Sequence, residues 1–339
     1  MEEARGGGES AGMKTMKAAA AAARLATQQT KTISTLEQIV QRDEGGRGTA
    51  HLCRPAGELE KIARALRGAM KVAVLTGFPC VENTDVPTET DGPSGTIAVC
   101  NALLRSNEDV GIVIMTDECN ARVMEACALA GLPQDSRWRL EVYPPKERWK
   151  SKDQRRIEVI AEWSDHILAL ERASAGPDGF ARTASGRIMG DDMIAPLDQL
   201  FSKEMRAKYA SYGTTCVGDG GNELGMGSVA ASVCANVKNG DKIVSKESAD
   251  YLLAASVSNW GGYAIAGALQ VLSESDAALM PTPAEETRTI QAAVDAGAHD
   301  GLLMTQALSV DGFSIDVHCA ILNELDQSIR NNKGHAAYG

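Results

Sequence analysis

The chain has 339 residues, with 34 Lys+Arg against 45 Asp+Glu and a formal net charge of −11. Apolar residues at 44% and charged residues at 23% are ordinary globular proportions, so a disordered or collagen-like chain is excluded, and the length suits one large α/β domain or two smaller ones. Net acidity speaks against general nucleic-acid binding, which relies on a basic surface, and no run approaches the about 18 apolar residues of a membrane span.

Residues 1–12 are rich in Gly and Glu and are expected to be mobile. Residues 13–36 carry Lys14, Lys17, Arg24 and Lys31 with no acid. They faintly resemble an organelle transit peptide, and they fit better an Ala-rich surface helix. The folded body is expected to start near Leu36, in a division into an extension (1–32) and one α/β domain (33–335). Short apolar runs at 71–76, 110–115, 166–170 and 242–245 predict strands buried on both faces. Between them, Ile97, Cys100, Leu103 and Leu104 share one helical face, as do Val123, Met124 and Cys127 before Gly131, and as do Val229, Val233 and Val237 before Asn239. Residues 274–288, with Pro281 and Pro283, read as a loop. Strands alternating with helices predict a three-layer α/β fold, a mostly parallel sheet with helices on both faces. The eight cysteines form no Cys-x-x-Cys pair, and the five histidines lack zinc spacing, so a reducing, intracellular compartment is expected.

Four segments place reactive groups where such a fold binds ligands. Gly77 to Gly95 runs from a strand end through a loop to a helix start, which puts Glu89 and Asp91 near the carboxyl edge of the sheet. The alternative is turn and cap chemistry at Asp91-Gly-Pro. Residues 217–227 hold five glycines within Gly218–Gly227, with Asp219, Asn222 and Glu223 among them. Glycine permits positive φ and close approach of backbone to a ligand. The segment lacks the Lys of a triphosphate loop, and the alternative is a tight turn with capping acids. At 256–263, Asn259 can donate and accept, Trp260 can wall a small pocket, and Gly261 admits a close neighbour; the alternative is an N-cap with Trp260 in the core. The pair Glu171-Arg172 follows the third strand, and Arg suits a substrate carboxylate, or else forms a solvated salt bridge. His318-Cys319 is not a dyad, since adjacent helical residues point apart.

Residues 77–79, 89–93, 170–173, 218–227 and 257–263 together resemble, in order and rough spacing, the carboxy-terminal domain of the D-glutamate cyclase family, over about residues 33 to 330. The resemblance implies closure of D-glutamate to 5-oxo-D-proline with loss of water, in a mitochondrial or cytoplasmic setting. The large amino-terminal hydro-lyase-like domain of the two-domain animal enzymes is absent from this sequence. For that reaction Glu223 is expected as general base, with Asp219 or Asp91 as proton donor. Arg172 would clamp the α-carboxylate. Asn222, Asn259 and the Gly220 and Gly221 amides would hold the developing oxyanion, with Glu89, Trp260 and Gly261 completing the substrate site. A competing version makes Asp91, Asp219 and Glu223 ligands of Mg²⁺ or Mn²⁺. The expected partner is an acidic amino acid, with no nucleic acid and no membrane, and a homo-oligomer is compatible with the sequence. Two other classes stay open: a non-catalytic ligand binder that pairs with a separate hydro-lyase-like protein, and a phosphate- or nucleotide-using enzyme.

Overall fold

Six strands, all parallel, form the central sheet of the computed structural model, which describes residues 11–82, 84–209, 212–273 and 277–335. They are β1 (Lys71–Gly77), β2 (Gly111–Asp117), β3 (Trp138–Tyr143), β4 (His166–Arg172), β5 (Gly213–Gly218) and β6 (Tyr251–Ala254). A small antiparallel hairpin, β7 (Ser309–Val310) with β8 (Phe313–Ser314), stands apart. The helices are α1 (Ala11–Val40), α2 (Glu58–Gly68), α3 (Pro93–Ser106), α4 (Ala121–Gly131), α5 (Ser151–Trp163), α6 (Lys203–Lys208), α7 (Ala230–Asn236), α8 (Gly240–Ile243), α9 (Ser258–Leu272), α10 (Pro283–Asp295) and α11 (Ile315–His335).

Alternation along the strands builds the layers. Val72, Val74, Ile112, Ile114, Leu168 and Leu170 face a core shared with α1, α2, α3, α4, α9, α10 and α11. Ala73, Leu75, Val113, Met115, Ile167 and Ala169 face the opposite core, closed by Ile157 and Ile160 of α5, by residues 195–205 and by Val233 of α7. Both faces of the sheet are therefore covered. That is why β1, β2 and β4 read as continuous apolar runs. Burial in α1 begins at Thr32, and its earlier turns are exposed from Met16 to Thr27.

The strand order is β3-β2-β1-β4-β5-β6, with winding that reverses between β1 and β4. In doubly wound sheets that reversal leaves a crevice outside the carboxyl ends of the two central strands, where ligands bind. The ends are irregular here. Leu75 pairs with Ala169 and Gly77 with Arg172, so β4 has one residue more than β1 over this stretch. This bulge contains Glu171, whose φ of 43° is left-handed, an uncommon conformation for Glu that concentrates at functional sites.

Two local expectations fail. Residues 242–245 are not a strand: Gly240–Ile243 is the helical turn α8, and Val244 ends in the lower core. Residues 283–288 are not loop but the start of α10, with Pro283 in its first turn and a capping box between Thr282 and Glu285. Residues 274–276, and the expected mobile segment up to residue 10, lie outside the described residues.

Candidate active site

A cavity of about 410 Å³ opens at the β1–β4 reversal. Its charged lining is Arg47, Glu89, Glu171, Arg187, Asp219, Glu223 and Asp311; Phe78, Val237, Leu302 and Met304 are apolar, and Thr183 and Ser185 bring hydroxyls. The volume falls in the range of small-molecule sites.

The Gly-rich loop after β5 folds around its own acid. Glu223 accepts N–H bonds from Asp219 (3.0 Å) and Gly220 (2.6 Å) on Oε1, and from Gly221 (2.7 Å) on Oε2. Gly221 has φ 99°, and a Cβ there would stand 2.7 Å from Val233, so the position needs glycine twice over. The Gly220 and Gly221 amides thus point at Glu223 and not at a guest. Glu223 is the loop's anchor, although it lines the cavity.

Asp91 and Asn259 cap each other's helices. Asp91 accepts from the N–H groups of Ser258 and Asn259, both at 2.8 Å, at the start of α9. Asn259 Oδ1 accepts from Gly92 (3.0 Å) and Gly95 (2.7 Å) at the start of α3. These side chains satisfy donors that the helix ends would otherwise leave bare. Asn259 has no accessible surface, and neither residue is in the cavity wall.

Arg172 is also withdrawn. It is fully buried and binds Asp117 through both terminal guanidinium nitrogens, Nη2 at 2.9 Å from Asp117 Oδ1, and Nη2 also donates to the Ala195 carbonyl at 2.9 Å. It therefore cannot serve as the carboxylate clamp. Trp260 is in the core and donates to His318 Nδ1 at 2.8 Å, while a Cβ on Gly261 would meet Val217 at 2.5 Å. Both serve the packing of α9 rather than a pocket wall.

Of the residues expected at the site, the structure brings Glu89, Asp219, Gly220, Asn222 and Glu223 to the cavity wall. Asn222 is tied there by its donation to the Arg182 carbonyl at 2.8 Å. Three charged residues of the wall carry no expectation from the sequence, Arg47, Arg187 and Asp311, and Glu171 enters it only as the neighbour of Arg172, with no role of its own. Arg47 lies in a Gly-rich turn, held by Asp43, which accepts from the N–H groups of Arg47 and Gly48 at 2.8 Å. Its Nη2 reaches Asp219 (2.7 Å), Asp311 (2.7 Å) and the Ser256 carbonyl (2.6 Å). Asp311-Gly312 is a hairpin-turn signal, and Glu171 adjoins the Arg that was singled out; these were the available clues.

Electrostatics follow from burial. It pushes the carboxyls of Glu89, Asp91, Glu171 and Asp311 well above the usual range, and neighbouring acids add to the shift. Asp219 is pushed up to about 7 by burial, with Arg47 pulling the other way. Glu171 accepts a 2.6 Å bond from Ser258 Oγ. The Glu89 carboxyl makes no hydrogen bond among the described residues, and a Cβ on Gly301 would approach its Oε2 to 2.5 Å. Among the described residues, the oxygen donors grouped closely enough for a cation are those of Asp91, Glu171 and Asp219, with Glu171 in the place the sequence reading gives to Glu223. No helix of the described residues is long and apolar enough to cross a membrane.

A family model described as D-glutamate cyclase-like, C-terminal, matches residues 36–326. The D-glutamate cyclase, mitochondrial, of Homo sapiens is 33% identical over 251 residues, which make up 71% of this chain and 39% of that protein. The chain thus spans well under two thirds of the length of the curated relative it matches. It belongs to the D-glutamate cyclase-like family.

Proposed function

We propose that this chain is a lyase that closes D-glutamate to 5-oxo-D-proline with loss of water. One observation carries the reading: loops from several strand ends within the family-matched stretch 36–326 line a single cavity at the β1–β4 reversal, with carboxyl groups and guanidinium groups in one wall. A dicarboxylic amino acid offers one ammonium and two carboxylates, and the wall offers groups of both complementary signs. The same acids disfavour a polyphosphate, for which the crevice would need cations or free amides.

The ammonium faces Glu89, the wall acid free of hydrogen bonds among the described residues. Arg187 is the guanidinium nearest in kind to a carboxylate clamp. It donates to the Cys80 carbonyl at 2.9 Å and pairs with half-exposed Glu82 at 3.0 Å, a partner that a substrate can displace. Nitrogen attacks the side-chain carboxyl carbon, a C–N bond forms, and one C–O bond breaks. The two protons lost by the ammonium leave with that oxygen as water, and Glu89 is placed to pass one of them. Ring closure is intramolecular, so a bound, folded substrate has already met much of the entropic cost.

The test is an enantiomer-resolved assay for 5-oxoproline with the purified chain, on D- and on L-glutamate, with and without divalent metal. Turnover of the D-isomer is the expected result, and Glu89→Gln should lower kcat by about 10²–10⁴-fold. Thermal stabilisation by D-glutamate with no product would make the chain a binder instead. Stabilisation by a nucleotide and not by glutamate would defeat both readings.

A further inference from the structure

The acidic end of the cavity holds more carboxyl groups than its own cations answer. Glu223 has three N–H donors, and Asp219 and Asp311 share Arg47. Asp91, which accepts from the first N–H groups of α9, Glu171, which accepts from Ser258 Oγ, and Asp219 still cluster: each brings one carboxylate oxygen within 4.8 Å of the others, and all three are buried. Two ligands of one ion stand at most twice a metal–oxygen bond apart, about 4.2 Å for Mg²⁺ and about 4.8 Å for Ca²⁺. The cluster is close enough for one ion of calcium's size, and a smaller ion such as Mg²⁺ would draw the oxygens slightly together.

A second observation is independent of the acids. Thr76 Oγ1 and Ser256 Oγ are buried and have no hydrogen-bond partner among the described residues. Thr76 is the second-to-last residue of β1, at the strand end that faces the crevice. A Cβ built on Gly92 would stand 3.0 Å from its Oγ1 and 2.8 Å from Glu171 Cβ, so this hydroxyl lies close to the Glu171 side chain and to the residue that follows Asp91. Ser256 gives its carbonyl to Arg47, the partner of Asp219, and lies two residues before Ser258, which holds both Asp91 and Glu171. Buried hydroxyls without partners are uncommon, and an unseen ion or its water is a standard reason for them. Mg²⁺ keeps several waters when it binds to proteins.

We propose that Asp91, Glu171 and Asp219 bind one divalent cation of the hard, oxygen-preferring kind, with its water bonded to the hydroxyls of Thr76 and Ser256. The donor set contains no nitrogen or sulfur, which separates it from zinc sites. The presence of the ion stands on these residues alone. Its use rests on the cyclase reading: it would offset the charge of the acidic wall and receive a carboxylate oxygen of an anionic substrate.

The experiment uses the full chain, stripped with EDTA, dialysed and titrated with MnCl₂ while free Mn²⁺ is followed by electron paramagnetic resonance. One Mn²⁺ per chain is expected, displaced by Mg²⁺ in excess. Glu171→Gln and Asp219→Asn should each weaken binding by about 10–100-fold or more, and Thr76→Val by less, with wild-type circular dichroism. Manganese anomalous diffraction from a crystal of the wild-type chain should peak between Asp91, Glu171 and Asp219, which decides the matter even where a variant does not fold. Absence of stoichiometric binding, wild-type affinity in both folded carboxylate variants, or a peak elsewhere overturns the site. Turnover in metal-free protein that binds no Mn²⁺ sinks the site and spares the cyclase reading. A bound Mn²⁺ with no 5-oxoproline formed does the reverse.

Discussion

Arg172 and Asp117 form an ion pair with no exposure on either side chain, at the carboxyl ends of β4 and β2. Asp117 Oδ1 also accepts the Ala195 N–H at 2.6 Å, so the pair fastens the chain after β4 to the sheet end. Removing one partner leaves a buried charge without an answer. Arg172→Ala should therefore cost about 3–5 kcal/mol, read as a fall in the urea midpoint at unchanged slope. A loss below 1 kcal/mol, as for a surface pair, would show the guanidinium to be solvated after all. At this scale the sequence shows which residue types gather near the Gly-rich turns, but not which way they face. Glu223 and Arg172 bear the right chemistry for a site and use it on the scaffold, whereas Glu171 occupies the cavity because a bulge re-aims it. Side-chain direction at an irregular strand end depends on φ at single residues, and no periodicity encodes that.

The helix starts of α3 and α9 lock together beside Glu171. A Cβ on Gly262 would lie 2.5 Å from the Gly95 carbonyl oxygen and 2.7 Å from its Cα. Both are backbone atoms, so the contact cannot be relieved by a rotamer change. Gly262→Ala should force the helices apart, lowering stability by about 1–3 kcal/mol and displacing the reciprocal caps Asp91 and Asn259. Amide exchange at Gly92, Gly95, Ser258 and Asn259 should quicken with it; unchanged exchange there would show the crossing to be slack. Element type was legible where burial is two-sided: the runs at 71–76, 110–115 and 166–170 are the central strands β1, β2 and β4. Strands β3 and β5 carry no such apolar run, and β6 only a short one. Trp138, Arg139 and Glu141 give β3 the mixed composition of a half-exposed edge, β5 relies on two threonines, and β6 has only four residues. At 242–245, two buried apolar residues satisfy a strand pattern and a helical turn equally well. The start of α10, by contrast, carried a readable signal: Thr282 and Glu285 at capping-box spacing around Pro283.

The helical layer over the upper face is joined internally by one acid. Glu286 of α10 accepts from Ser94 of α3 and Tyr263 of α9, so three helices meet at a buried carboxyl. Burial raises its pKa from 4.5 to about 7, against the pull of the two hydroxyls. An unfolded chain would ionise it at its ordinary value. Between pH 4.5 and 7 the folded state therefore holds the extra proton, and the associated stability is full below 4.5 and is lost as pH rises through 7. The histidines act on the acid side. His166 and His318 are lowered by burial from 6.5 to about 4, so the unfolded state takes up protons first and stability falls as pH drops from 6.5 towards 4. His318 has a further reason to stay neutral, because its Nδ1 already accepts from Trp260. The buried acids of the cavity, whose carboxyls are also pushed up by burial, add to the loss on the alkaline side, and the histidines oppose it only on the acid side. Glu286→Gln removes this residue's share of the alkaline loss and little else, since its amide oxygen can still accept from both hydroxyls. Its melting temperature should exceed that of the wild type at pH 8, by an amount that reflects about 3 kcal/mol at most, and should match or fall below it at pH 4.5. Melting curves for both proteins from pH 4 to 9 read this as two profiles that cross near neutrality. Parallel profiles would mean that the three-helix junction ionises in the folded state as it does in the open chain.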